Sequence, residues 1–366
     1  MDKVCIGIIG TGQIAHSHVE EYLKIPGVEI TAVAGRDEGR TQTFAEAHQI
    51  ANYYTDFRKL LERDDVIAID VCLHNNLHMP VTTAAFTAGK HVYCEKPIAG
   101  SYADGLRMVQ AAQQAQLKLS IQLSSLFRNE TKAAKTLIDQ GALGHIYHAR
   151  SVGYRRRGRP FVDGYGTPQF VQKEFSAGGA VFDMGIYHLA VILYLIGNPE
   201  VKRISGKTYQ EIAMDPVRRE SSGYNVEEMG VGLVRLDNNI SLDIIETWAI
   251  NIDSLSSSMV LGSNGGILLD PFTFSTSSVD LPLNATADFA TFDYLTHHIR
   301  ENADVYDSPQ QHWVAALQGR VDLLPTAEIA LNAMLISEGI YFSEKLDREV
   351  TADEVEHMSI SNALSP

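Results

Sequence analysis

Val4-Cys5-Ile6-Gly7-Ile8-Ile9-Gly10-Thr11-Gly12-Gln13-Ile14-Ala15 reads as a buried strand that runs through a glycine turn into a helix. Apolar positions without alternation describe a strand covered on both faces, as in a parallel sheet. Gly10 permits a tight turn, Gly12 lets the backbone approach a pyrophosphate, and Ala15 lets the helix pack close to the strand. The amides of the first helical turn, at Gln13 and Ile14, then face the anion. A glycine turn alone is weak evidence; its place between a strand and a helix gives it weight.

Outward from this stretch the pattern repeats. Apolar runs at 28–34, 66–73, 91–94 and 117–123 continue the sheet, and helical periodicity at 14–24, 38–48, 79–88 and 102–116 supplies the crossovers. This predicts a doubly wound Rossmann domain over residues 1–124. From 125 to 366 the pattern changes to α+β. A helix at 130–140 is followed by strands at 145–154, 201–212, 226–236, 240–250 and 257–261. Turns at Asp237-Asn238-Asn239 and Gly262-Ser263-Asn264-Gly265 join some of them. Alternation around Leu242 and Ile244 suits a large, mostly antiparallel open sheet with helices on one face. Helices at 310–318 and 326–346 complete the domain, and 270–288 reads as polar and irregular.

The bulk composition narrows the function. At 366 residues the chain exceeds one typical core, and 45% hydrophobic with 20% charged residues is the balance of a globular protein. A net charge of -15 disfavours nucleic acid and anionic membrane surfaces as partners. Met1-Asp2-Lys3 leads directly into the first strand and no apolar run is long enough to span a bilayer, so a cytoplasmic protein is expected. Cys5, Cys72 and Cys94 fall in separate core strands and read as reduced structural residues.

Three strand ends carry candidate ligand-binding residues. The second strand ends Ala34-Gly35-Arg36-Asp37, with glycine where an acid for the adenosine ribose is expected. Arg36 suits a 2′-phosphate or adenine and Asp37 suits a ribose, which leaves NAD and NADP both open. His74 and Asn75 follow the strand 66–73, where an open sheet binds its ligand. Glu95-Lys96-Pro97 follows the strand 91–94 and sets a lysine beside a bound nicotinamide.

Together with these, the run Gly178-Gly179-Ala180-Val181-Phe182-Asp183-Met184-Gly185-Ile186-Tyr187-His188 resembles the Gfo/Idh/MocA family of oxidoreductases along essentially the whole chain. The resemblance implies a nicotinamide cofactor in the Rossmann domain and a sugar or polyol against the sheet domain, with Lys96 and Asp183 catalytic. Many members carry histidine four residues after the aspartate; this chain has Tyr187 there and His188 next. At about 100° per residue, position i+4 returns to within roughly 40° of Asp183 and i+5 lies roughly 140° away, which favours Tyr187 as acid/base. Gly-Ile-Tyr here is similar to the glucose-fructose oxidoreductase and dihydrodiol dehydrogenase branches. An irregular helix start at Gly185 would bring in His188 instead. Lys96, partly desolvated beside a cationic ring, is expected to have its pKa lowered toward working pH, with Asp183 opposing that shift.

Tyr154-Arg155-Arg156-Arg157-Gly158-Arg159-Pro160 leaves the first strand of the second domain toward the cleft. Arg155 and Arg157 read as a solvated basic loop. Alternation sets Arg156 on the other side as the inward candidate, with Tyr154 and Asp163 as further substrate contacts. The arginine-rich turn is similar to relatives that oxidise glycosides at carbon 3. Tyr224, Trp248, His297 and His298 read as packing or surface residues, and no metal-ligand spacing is evident. The expected protein is an NAD(P)-dependent dehydrogenase of sugars, polyols or glycosides, a homo-oligomer (dimer or tetramer) built on the open sheet face. The rival readings are glycoside cleavage or epimerisation through transient oxidation, and a non-catalytic dinucleotide-binding regulator.

Overall fold

The computed structural model describes residues 3–366. The opening stretch forms β1 (Val4–Ile9) and α1 (Gln13–Tyr22). β1 lies inside a six-stranded parallel sheet with β2 (Val28–Ala34), β3 (Asn52–Tyr54), β4 (Ala68–Val71), β5 (His91–Cys94) and β6 (Leu119–Ile121), in the order β3-β2-β1-β4-β5-β6. The helices α2 (Glu38–Ala47), α3 (Phe57–Leu61), α4 (Asn75–Thr87) and α5 (Tyr102–Ala115) connect them. The strand order reverses between β1 and β4, and that switch point opens a crevice at the carboxyl ends of the strands. Ile6, Ile8 and Ile69 are wholly buried, each contributing about 1.5–3 kcal/mol by leaving water. The short pair β3 and α3 is too brief for periodicity to show.

α4 begins four residues ahead of the sequence expectation and passes through Pro80. Proline has no N–H for the carbonyl one turn back, at Asn76. The C-terminal tail supplies the donor: Leu364 N–H bonds to Asn76 O at 2.9 Å. The early start makes His74 the N-cap residue and draws Asn75 into the first turn.

After α6 (Asn129–Asp139) comes the second sheet. Its strands are β7 (Ile146–Tyr154), β8 (Val201–Tyr209), β9 (Met229–Leu236), β10 (Ser241–Thr247), β11 (Met259–Gly262), β12 (Gly265–Leu269), β13 (Phe272–Ser278), β14 (Leu281–Ala285) and β15 (Val350–Thr351). They lie in the order β14-β13-β12-β11-β7-β10-β9-β8-β15, and all pairs are antiparallel except β7 with β10. The helices of this half are α7 (Lys173–Ser176), α8 (Ala180–Asp183), α9 (Gly185–Leu195), α10 (Pro216–Ser222), α11 (Phe289–Ile299), α12 (Pro309–Leu317), α13 (Thr326–Leu346) and α14 (Ala352–Met358). α9 and α13 cover one face, packing Leu189, Ile192 and Ile340 with Ile204, Val234 and Leu242 in one core.

The expectation of irregular chain at 270–288 is corrected: β13 and β14 form a hairpin turning at Val279-Asp280, both at positive φ. β14 is exposed along its whole length, so it carries no apolar face for a sequence pattern to reveal. The chain also returns to the first sheet. Trp313 of α12 packs against Tyr93 at 5.8 Å between ring centroids, and Thr326 Oγ1 accepts from Ile121 N–H at 3.0 Å. Among the described residues no single helix is long and apolar enough to cross a membrane.

Candidate active site

The crevice begins at Gly10. Its φ of +115° suits glycine, and a Cβ there would lie 2.1 Å from Cys72 O. Gly12 caps α1 without a side-chain hydrogen bond, and nothing stands within 4 Å of where its Cβ would be. The first-turn amides at Gln13 and Ile14 therefore face open space fit for an anionic group. Ala15 is fully buried against the sheet.

At the end of β2, a Cβ on Gly35 would meet Thr41 Oγ1 at 2.6 Å and Thr11 Cγ2 at 3.0 Å, so a larger side chain there would require both threonines to shift. Asp37 is occupied as the N-cap of α2, accepting from Arg40 N–H at 2.8 Å, while Arg36 is exposed. His74 is exposed at the head of α4. Asn75 Nδ2 donates to Ser176 O at 2.9 Å and Asn76 Nδ2 to Glu174 O at 3.0 Å, tying the crevice to the second half of the chain. His78 bonds to both Leu73 O and Pro97 O, joining the His74 loop to the Lys96 loop.

Behind Lys96 lies a buried charge chain that sequence reasoning missed. His18 Nδ1 donates to Asp70 Oδ2 at 2.8 Å and Nε2 donates to Glu95 Oε1 at 2.9 Å. Both ring nitrogens face carboxylates, so both carry protons and the ring is an imidazolium. Burial opposes that charge, and Asp70 outweighs it, so the His18 pKa stands well above the ordinary value. Glu95 turns its other oxygen to its neighbour, accepting from Lys96 N–H at 2.9 Å. Its carboxylate, expected on the cofactor side, thus points inward and fixes the loop.

Lys96 Nζ lies 3.0 Å from Asp183 Oδ1 and 3.3 Å from Asp183 O, and sits over the face of Tyr187, 4.5 Å from the ring centroid. Two segments 87 residues apart therefore meet at one point. The expectation of a lowered lysine pKa is reversed in this arrangement. Burial disfavours the ammonium, but Asp183, Tyr187 and Glu95 outweigh burial and raise the pKa.

Asp183 is delivered by a tight device. Gly179 N–H donates to both oxygens of Glu227 at 2.9 Å, Val181 N–H donates at 3.0 Å, and Tyr341 Oη donates at 2.7 Å. A Cβ on Gly179 would stand 1.9 Å from Glu227 O, so only glycine admits this approach. The helix breaks at Met184, with a bend of 50°. Counting 100° per residue from Asp183 does not survive that bend. Tyr187 faces Lys96, whereas His188 turns to Glu246, with Nδ1 3.0 Å from Oε2. Burial works against protonation of His188, and the Glu246 carboxylate outweighs it, raising the pKa. Glu246 is fully buried and also accepts from Ser151 Oγ at 3.0 Å. The signal was present in the sequence: Glu246 shares the inward register of β10 with Leu242 and Ile244.

In the arginine run the structure leaves Arg157 exposed, as expected, and reverses the reading at Arg155 and Arg156. Arg156 is exposed and pairs with Asp253, also exposed, so it leaves the cleft. Arg155 instead lies over the Tyr165 ring at 5.3 Å. Asp163 is corrected too, because it is committed to Arg159, which is wholly buried and also holds Glu228 at 2.9 Å. Tyr154, half-buried, alternates with Gly153 and so faces away from His188. Tyr224 and Trp248 pack in a core cluster, and His297 pairs with Asp307 on the surface.

Residues 4–123 match the model of an oxidoreductase family with an NAD-binding Rossmann fold, and residues 131–268 match the C-terminal domain of the same family. The chain belongs to the GFO/IDH/MocA oxidoreductases. It is similar to D-glucoside 3-dehydrogenase of Escherichia coli (strain K12), 28% identical over 274 residues, 73% of this chain and 77% of that protein. It is also similar to myo-inositol 2-dehydrogenase of Thermotoga maritima, 28% identical over 199 residues, 54% of this chain and 56% of that one. The fold matches levoglucosan dehydrogenase in complex with NADH and L-sorbose at a TM-score of 0.78 and 17% identity, covering 96% of this chain and 99% of that chain. The protein is an oxidoreductase, and its first sheet is an NAD-binding Rossmann fold.

Proposed function

We propose that this GFO/IDH/MocA oxidoreductase oxidises a secondary hydroxyl of a sugar, polyol or glycoside, with glycoside C3 as the favoured position. The observation that carries the reading is the meeting of Lys96, Asp183 and Tyr187 at the crevice mouth. Bound NAD or NADP would supply the hydride acceptor. The turn at Gly10 and Gly12 and the amides of Gln13 and Ile14 would hold its pyrophosphate. Arg36 would serve the adenosine end, and His74 and Asn75 the nicotinamide end. With glycine at residue 35, the adenosine ribose lacks its usual acidic partner, which keeps NADP in view beside NAD.

The substrate hydroxyl would lie between the Lys96 ammonium, which donates a hydrogen bond to it, and Tyr187, whose phenolate oxygen would take its proton as the hydride leaves the same carbon. Asp183 positions the amine, and Glu95 with His18 holds its loop from behind. Residues 1–124 would form the dinucleotide domain and 125–366 the substrate domain, with homo-oligomers formed through the outer sheet face around Leu233 and Tyr209, both exposed. A cytoplasmic setting suits the three free cysteines.

The test is a panel of glycosides and polyols with each coenzyme, scored by absorbance of reduced nicotinamide. Stoichiometric NADH or NADPH with a keto-sugar supports the reading. Glycoside cleavage without net reduced coenzyme favours a transient oxidation instead, a route for which the His188–Glu246 pair offers a second proton-carrying group.

A further inference from the structure

Two arginines, Arg128 and Arg155, stand beside the reacting pair without a carboxylate partner among the described residues. Ser125 Oγ donates to Tyr187 O at 2.8 Å, which seats the segment ending in Arg128 against the first turn of α9. From the opposite side, β7 lines Ser151 and Gly153 along one face, and Arg155 follows just past its end. A Cβ on Gly153 would lie 2.2 Å from His188 Cε1, so this face runs directly beside the imidazole. Arg155 donates to Gly158 O at 3.2 Å and to the Tyr165 hydroxyl. Arg128 follows the segment seated on Tyr187, and Arg155 follows the strand that runs beside His188. The arginines thus border the reacting pair.

Several arginines of this chain find acids: Arg63 with Asp65, Arg150 with Asp243, Arg159 with Asp163 and Glu228, Arg320 with Asp304. Among the described residues neither Arg128 nor Arg155 has a carboxylate partner. In a chain of net charge -15, two guanidinium groups left without an acid at one mouth are placed for an anion from outside.

We propose that Arg155, Arg128 and the His188 edge form an anion-recognising subsite, and that the substrate is a sugar bearing a carboxylate, a hexuronate or its glycoside. The guanidinium fork matches a planar carboxylate in two hydrogen bonds. Asp183 and Glu246 lie close behind, and their charges favour a monoanion over a phosphate dianion. This rests on the dehydrogenase reading and adds the substrate class.

The experiment compares methyl β-D-glucuronide with methyl β-D-glucoside, which differ only in carboxylate against hydroxymethyl at carbon 5, with glucose 6-phosphate as a third arm. The glucuronide should have kcat/KM at least about tenfold above the glucoside. Arg155→Gln should bring the ratio near one, mostly by raising KM for the acid. Arg128→Gln, at an exposed position, should lower the ratio in the same direction and serves if the first variant fails to fold. Equal turnover of acid and neutral sugar, preference for the phosphate ester, or a ratio unmoved by both variants would overturn the proposal. If none of these sugars reduces the coenzyme, calorimetry of NAD-loaded protein with glucuronate decides. Binding lost in Arg155→Gln keeps the subsite and defeats the dehydrogenase reading; no binding defeats the subsite.

Discussion

The two edges of the cleft are held by different physics. The lysine edge rests on a buried series of charges, Asp70–His18–Glu95, ending on the backbone of Lys96. The aspartate edge rests on one carboxylate, Glu227, that gathers backbone amides at a helix start where glycine allows close contact. Charges in series fail when the middle member is lost, because the ends are left buried and unpaired. A carboxylate on amides and a phenol fails by degrees, one hydrogen bond at a time.

The largest effect is expected at the point where the edges meet. Lys96→Met should lower turnover by about 10²–10⁴-fold or more while dinucleotide binding, followed by fluorescence quenching, is kept. Undiminished turnover would remove the lysine from the chemistry. Next in size is stability: His18→Gln should cost about 3–5 kcal/mol in denaturant unfolding, against roughly 1–2 kcal/mol for Glu227→Gln. Equal costs would erase the contrast between the two edges.

Paired glycine substitutions sharpen it further. Gly153→Ala drives a methyl into His188 and Glu246, 2.2 and 2.3 Å away, and should cost about 1–3 kcal/mol. Gly12→Ala meets nothing within 4 Å, so it should change stability by under about 0.5 kcal/mol and yet weaken coenzyme binding. The smallest effect is a pH slope. The folded-state pKa of His188 is raised, so its pairing with Glu246 stabilises fully below about pH 6.5 and fades as pH rises through the folded value. Thermal unfolding of His188→Gln should lack that decline; an identical slope in both proteins would assign it to another group.

Much of the lysine edge was legible because parallel strands buried on both faces are continuous apolar runs, and their ends locate the loops. Val28–Ala34 and His91–Cys94 form at the expected bounds for this reason. The aspartate edge was legible as a motif only. Its orientation depends on the break at Met184, which no periodicity encodes. Alternation also misled at the arginine run, because β7 ends at Tyr154 and the chain beyond it no longer follows strand geometry. His18 gave a usable sign, one turn past the glycine fingerprint and on the buried side of α1 with Ala15, Val19 and Tyr22. Its carboxylate partners come from Asp70 and Glu95, 52 and 77 residues away, which only the folded sheet brings together.

Proton and hydride leave one substrate carbinol group held between Lys96 and Tyr187 in this mechanism. Stopped-flow hydride transfer in Lys96→Met, Tyr187→Phe and the double variant tests this directly. If both groups serve the same proton, the double variant should be no slower than about the worse single one. Losses that multiply as independent factors would mean that the two side chains act in separate places, and the shared-proton site would fall.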